Sequence, residues 1–417
     1  MTEAPEAPVV DLDIIKQLLP FDPFDEDFHR DPYPTYRKIR EENGQVFRTP
    51  GGTVAVLSHQ VASEILKDPR FGWGENPPIA DQFVPNPDGP PGRPLIFMDP
   101  PDHTRIRTLV SKAFTPRTVQ RLRGRTEQFA AELVAKAREQ AAGGTVDLMD
   151  ALLRPLPGLV LSELMDIPER YHPVFIALAK ESGRGLDPGF TLSPEEKVIR
   201  DEARDGIIAA GAEMVEERKA RPGDDLVSEL VAARGEGGDR LSEMELSMTL
   251  MNLLAAGFNA TAAMMGNCVL SLFGHGDQVK WFLDNPSQVQ NSVEELLRYD
   301  SPLQLVPRTA LQDAQVGDLQ VPVGTDLSLV LGAANRDPEV YDDPDRLDLS
   351  RPAQRNLGFG HGIHFCVAAP IARMTAQATV AELAANGVEL ALEKPEFFPG
   401  IVLRTLSELP VTFNSPK

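Results

Sequence analysis

The stretch Phe359-Gly360-His361-Gly362-Ile363-His364-Phe365-Cys366, running straight into Val367–Arg373, decides how this chain is read. It sets one cysteine at the tip of a glycine-rich loop, just ahead of a helix. A thiolate there gains from the free N–H groups and positive dipole end of the helix, which are expected to lower the thiol pKa. Gly360 and Gly362 permit backbone conformations and close approaches that a Cβ would block. One thiolate in such a loop suits a large flat metal centre; zinc would want three or four clustered ligands. A lone cysteine here also reads as a buried structural residue, since free Cys is among the most buried types. The loop alone leaves both readings open.

The rest of the chain sets the frame. With 417 residues, 42% hydrophobic and 25% charged, it can bury a large core. Length alone suggests two or three domains, yet no linker, low-complexity tract or repeat divides it. Residues 21–417 therefore read as a single domain behind a loosely held tail, residues 1–20, with Pro5, Pro8 and Pro20. No apolar run of about 18 residues stands out, so no membrane span is expected. Met1–Asp11 carries acids and prolines rather than a basic n-region, so no secretory signal is expected. Cys268 and Cys366 lie in unlike contexts, which argues against a disulfide framework and for a reducing, cytoplasmic compartment. The net charge of −21, from 41 basic and 62 acidic residues, argues against nucleic acid or an anionic membrane as partner. Basic residues do gather in Arg105, Arg107, Lys112, Arg117, Arg121, Arg123 and Arg125. They read either as a solvated helix face or as a patch that steers an acidic partner.

Periodicity gives a mainly α chain with a smaller β-rich part. Helical patterns run over Val119–Ala141, Leu156–Met165, Glu195–Lys219, Asp225–Ala233, Gln288–Tyr299 and Ala369–Ala385. Ser242 reads as the N-cap of a helix of roughly thirty residues ending near Phe273, with Glu243–Glu245 in its first turn. Such a helix must pass through the middle of the molecule. Val46–Arg48 and Thr53–Leu57 read as strands joined by Gly51-Gly52, and Val306–Val330 as further short strands. Phe71–Pro101 and Gly183–Pro194 read as long loops of the kind that carry function.

The eight residues ending at Cys366 resemble the haem-binding loop of the cytochromes P-450, the haem proteins with a cysteine-thiolate ligand. The resemblance implies that Cys366 is the axial iron ligand of haem b, that Phe359 and Gly360 lie against the haem near the sulfur, and that His364 reaches a propionate. It extends over essentially the whole chain and implies the P-450 fold, with its long central helix over the haem. One position departs: Ala368 stands where the family usually has glycine.

Further motifs fit the same family. Met98–Arg107 resembles the segment entering the helix beside the haem. His103 and Arg107, four apart, share a helical face and can reach one anionic group. Arg308 matches another propionate-binding position. Glu295-Leu-Leu-Arg298 alone reads as an ordinary surface ion pair; with Asp343-Pro344-Asp345-Arg346 downstream, the resemblance implies a buried network of Glu295, Arg298 and Arg346 behind the haem loop. Ala256 and Ala260 share the helix face that leaves room for haem, dioxygen and substrate. The family's acid–alcohol pair is replaced by Asn259 and Ala260. Asparagine cannot donate a proton as an acid. Some macrolide-hydroxylating relatives likewise carry alanine at the alcohol position and relay protons through water and a substrate hydroxyl. Thr261, turned about 100° further round the helix, can hold part of such a chain, while Asn259 reads either as a relay or substrate contact or as a packing amide.

The expected function is a haem-thiolate monooxygenase, a monomer, that tailors a bulky natural product by hydroxylation or epoxidation. Electrons would come from NAD(P)H through ferredoxin reductase and a ferredoxin docked on the thiolate face. Two alternatives stay open: non-oxygenating chemistry (oxidative coupling, decarboxylation or desaturation), and a haem-thiolate protein that recruits a partner or binds a ligand without turnover.

Overall fold

The computed structural model describes residues 16–414 apart from 24, 76–91, 113, 173–185, 235–237 and 392–393. Most of the tail at 1–20, the middle of the Phe71–Pro101 loop and the start of the Gly183–Pro194 loop lie outside the described residues.

The fold is organised by the helix Glu243–Phe273, about 46 Å long at 1.5 Å per residue. Its start is fixed by a capping box. The Ser242 hydroxyl accepts from Glu245 N at 3.2 Å, and the Glu245 carboxylate accepts from Ser242 N at 2.8 Å. Glu243 and Glu245 also complement the positive end of the helix dipole. Among the described residues this is the one helix long and apolar enough to cross a membrane, against the expectation that no such run exists. It is a core helix: 61% of its most apolar window is buried inside the fold. Helices Pro155–Met165, Pro194–Ala220, Val289–Tyr299 and Ala369–Ala385 pack around it.

Prolines at the first turn and hydroxyl caps set other helix starts. Thr115 caps Pro116–Ala141, and Ser193 with Glu196 forms a second capping box on Pro194–Ala220. Leu226–Ala232 follows, capped by Asp225. The helices Tyr33–Asn43, His59–Ile65 and Gly276–Asp284 are present beyond those the sequence pattern picked out.

The β-rich part comprises β1 (Val46–Arg48), β2 (Val54–Val56), β3 (Phe71–Gly72), β4 (Val146–Asp147), β5 (Leu305–Ala310), β6 (Ala314–Val316), β7 (Leu319–Val321), β8 (Asp326–Val330), β9 (Val388–Leu390) and β10 (Pro410–Phe413). The main sheet runs β1-β2-β8-β5-β3, with β2 parallel to β8 and the other pairs antiparallel. In the last pair Phe71 faces Ala310 and Gly72 faces Thr309, and Trp73 directly follows β3. β6 and β7 form a hairpin, and β10 joins β4 to β9.

Behind the cysteine loop lies a buried charge network whose third member differs from expectation. Glu295 Oε2 accepts from Arg298 Nε at 2.7 Å, and Glu295 Oε1 accepts from Arg351 Nε at 3.3 Å and from Asp348 N at 3.1 Å. Arg351, not Arg346, completes it. The turn Asp343–Arg346 points the Arg346 side chain outward, where it is 64% exposed and pairs with Asp343 and Asp348. Only the Arg346 carbonyl faces in, accepting from Arg298 Nη2 at 3.3 Å. Arg298 Nη1 further donates to Asn335 O and Pro344 O, and the Asn335 side chain accepts from Leu357 N at 2.7 Å. That chain of bonds ties the network to the root of the cysteine loop.

Candidate active site

The loop is held by its own backbone and by distant segments. Cys366 N donates to Phe359 O at 3.0 Å, and Phe365 N to Gly362 O at 3.1 Å. Gly360 and Gly362 sit at φ +70° and +67°, the left-handed region that favours glycine. A Cβ on Gly362 would overlap the Leu66 carbonyl, so the loop lies directly on the end of the helix His59–Ile65. From the other side Arg107 Nη2 donates to Phe365 O at 2.6 Å. Arg373, paired with Glu294, lies 4.4 Å over the Phe359 ring. Ala368 has φ −89°, so this position needs no glycine and the departure from the family pattern costs nothing here.

Burial pushes the Cys366 thiol up, against the opposing pull of the Ala368 and Ala369 N–H groups, Arg107 and Arg373. The sequence expectation was the reverse. The helix end is present, but removal from water outweighs it, so a cation at the sulfur is what would hold the thiolate there.

Cys366 borders a cavity of about 360 Å³ whose wall includes Phe359, Gly360, His364, His103, Arg107 and Arg308. His103 is buried and, among the described residues, neither of its ring nitrogens has a hydrogen-bond partner, nor has His364 Nε2. Their ring centres stand 4.3 Å apart. Burial, with the Arg107 charge behind it, pushes His103 down to about 4. Burial and Arg308 also push His364 well below the ordinary imidazole value. Both are therefore neutral rings with an N–H to donate. Arg308 is buried with one hydrogen bond, Nη1 to Pro307 O at 2.8 Å, and no salt bridge among the described residues. Burial pulls it down to about 10, with Asp99 opposing. Buried donors and a buried guanidinium converging on one cavity are costly without an acceptor. Carboxylates of a bound group would satisfy them. The residues present thus fit haem: Cys366 would hold the iron, and His103, Arg107, Arg308 and His364 the propionates.

The central helix supplies the opposite wall. Ala256, Ala260 and Thr261 line the cavity, with Gly257 packed so closely on Leu161 that a side chain would collide. Asn259 lies on a neighbouring stripe. It lines an adjoining cavity of about 80 Å³ with Arg200, Arg204 and Asn252, and Ala256 borders both spaces. The two expected loops contribute Leu95–Phe97 and Leu186, and the segments 303–306 and 401–402 contribute Leu303, Val306, Ile401 and Val402. Val160, Leu161, Leu164 and Met165 also line the wall, as does Trp73. Sequence reading placed the first four in a helix and gave the last no role.

A half-buried cysteine on the wall of a cavity ringed by donors to carboxylates fits a haem-thiolate protein. A family model described as "Cytochrome P450" matches residues 287–386. Over 403 residues the chain is 36% identical to Cytochrome P450 107B1 of Saccharopolyspora erythraea, covering 93% of this chain and 96% of that protein. Over 320 residues it is 35% identical to the 6-deoxyerythronolide B hydroxylase of the same organism, covering 76% and 77%. The solved structure of the polyketide-synthase cytochrome P450 PksS of Bacillus subtilis matches with a TM-score of 0.81 at 30% identity, covering 95% of this chain and all of that one. The chain belongs to the cytochrome P450 family and is a P450 monooxygenase.

Proposed function

We propose that this monooxygenase hydroxylates or epoxidises a bulky polyketide-type natural product, acting as a single catalytic domain and a monomer. The observation that carries the reading is the wall of the central helix, where Ala256 and Ala260 leave space beside a cavity lined mainly by aliphatic side chains. Space and apolar lining suit a large hydrophobic ring system. The names of two relatives, 6-deoxyerythronolide B hydroxylase and polyketide biosynthesis cytochrome P450 PksS, point the same way. Bound through the Cys366 thiolate, haem supplies reductive activation of dioxygen.

The residues of this chain have three tasks. The loops at Leu303–Val306 and Ile401–Leu403 orient the substrate and exclude water. Thr261 offers a hydroxyl that holds a water for proton delivery. Asn259 and Ala260 supply no acid and no alcohol, so a substrate hydroxyl completes the path. With native substrate, product formed per NADPH consumed is high; an analogue lacking one hydroxyl leaks peroxide. Asn259→Asp with Ala260→Thr reduces the leak with the analogue and weakens native binding, because overpacking costs about 1–3 kcal/mol. Equal coupling in all four combinations would remove these positions from proton delivery. A product without an added oxygen atom would favour the non-oxygenating alternative.

Electrons enter from a ferredoxin on the thiolate face, itself reduced by an NAD(P)H-dependent reductase. The basic segment expected to receive it is largely engaged within the chain. Arg105 pairs with Glu245, Arg121 with Asp224, Arg123 with Glu127 and Arg125 with Glu163. The cysteine loop offers a better centre. Ile363 is 44% exposed, and next to it the charges of Arg355 and Lys67 act on His361. An apolar tip with basic neighbours suits an acidic electron carrier. Arg355→Glu with Lys67→Glu is expected to slow ferredoxin-driven NADPH oxidation roughly tenfold at low salt, while peroxide-driven turnover stays unchanged. An unchanged ferredoxin rate would move the docking site elsewhere.

A further inference from the structure

Trp73 occupies the same wall as the groups that await carboxylates, and no role has been assigned to it. It is 6% exposed and its Nε1–H finds no hydrogen-bond partner among the described residues. Its surroundings fix the ring firmly. Its backbone N donates to both carboxylate oxygens of Asp99 at 3.0 Å, and Gly74 N donates to Asp99 Oδ2 at 2.9 Å. The ring packs edge-on against Phe97 at 4.9 Å, and the Arg308 guanidinium lies 5.0 Å from its centre. Trp73 directly follows β3, whose last pair is Gly72 with Thr309, and its ring meets Arg308 from β5 beside the same cavity. Asp99 is occupied by backbone donors and is not the acceptor of the indole. A buried N–H held so rigidly without an acceptor is costly, and the cavity beside it is where the His103 ring and His364 Nε2 also lack one among the described residues and where the buried Arg308 has no salt bridge.

We propose that Trp73 is a cofactor-binding residue, its Nε1–H donating to the haem propionate held by Arg308. The inference rests on membership of the haem-thiolate family and is independent of the substrate. Arg308 neutralises the carboxylate, while the indole supplies a directed bond from a ring with little rotational freedom. In this chain β3 thereby becomes part of the haem clamp.

The test uses the haem-loaded enzyme and Trp73→Phe, which keeps an aromatic ring against Phe97 and Arg308 but deletes the N–H. Transfer of ferric haem to apomyoglobin is expected to become roughly tenfold faster, and the propionate-bending band in the resonance Raman spectrum is expected to shift. Reconstitution with haem dimethyl ester, which carries no carboxylate charge, should shrink the difference between wild type and variant. A second measurement does not depend on the variant being stable. The chain has two tryptophans, so in Trp281→Phe the ultraviolet Raman bands report Trp73 alone. They should show a strongly hydrogen-bonded indole with haem and a weaker bond with the dimethyl ester, whose neutral carbonyl is a poorer acceptor than a carboxylate. An unchanged haem-transfer rate with an unmoved propionate band, or a free indole N–H in the haem-loaded Trp281→Phe protein, would overturn the assignment.

Discussion

Cys366→Ser is expected to abolish the red-shifted Soret band of the reduced carbon monoxide complex and to remove turnover altogether. The shift requires a thiolate opposite the carbon monoxide. A serine hydroxyl is far less acidic than a thiol and offers no equivalent anion at neutral pH. Burial already works against the charged form at this position, so serine has no means of compensating. The loop itself should survive, since its bonds run through backbone groups of Gly360, Gly362 and Cys366 rather than through the sulfur. The control is Cys268→Ser. Cys268 is buried on the central helix, and burial pushes its thiol up. That variant should keep the band. Difference spectra of the two variants beside wild type decide the matter; a red-shifted band in Cys366→Ser would remove Cys366 as the ligand.

Glu295→Ala is the second large effect expected, this time on stability. Arg298 and Arg351 side chains are 2% and 11% exposed, and both bond to the one carboxylate. Removing it leaves two guanidinium groups without their counter-charge, and breaking a buried pair in this way costs roughly 3–5 kcal/mol. That is about a third of the stability of a typical domain. Since Arg298 also holds Asn335, which holds Leu357 at the root of the cysteine loop, haem retention should fall with stability. Arg346→Ala provides the contrast. Its exposed pairs with Asp343 and Asp348 should change stability by no more than about 0.5 kcal/mol. Thermal unfolding and haem content of both variants check the assignment; equal losses would return Arg346 to the network.

What the sequence revealed depended on the range of the signal. The capping residues Ser242 and Glu245 and the apolar run to Phe273 are local, and the central helix begins and ends where they indicate. The cysteine loop is equally local. The sequence does not separate Arg346, the expected third member, from Arg351, which is close by and equally basic. Only the turn after Asp343, with φ +47°, decides which one reaches Glu295. Tyr33–Asn43 went unnoticed although Tyr33, Tyr36 and Ile39 recur every third residue, because charged residues dominate the rest of that helix. The places of Asn259 and Trp73 are hidden from the sequence for a different reason. Which stripe of a helix meets which cavity, and which residue a strand faces, are properties of tertiary packing.

The contacts that shape the cysteine loop have a consequence for the order of folding. Gly362 rests on Leu66, and Phe365 is held by Arg107 from 258 positions earlier in the chain. The scaffold beneath it is built from Glu295 and Arg351. None of these contacts is local, and closing such long loops is slow because entropy is lost before contacts repay it. The thiolate pocket therefore acquires its shape only after both ends of the chain have come together. Capture of the cofactor is expected to come late, with the Soret band in refolding rising with the completion of the whole domain rather than with its cysteine segment.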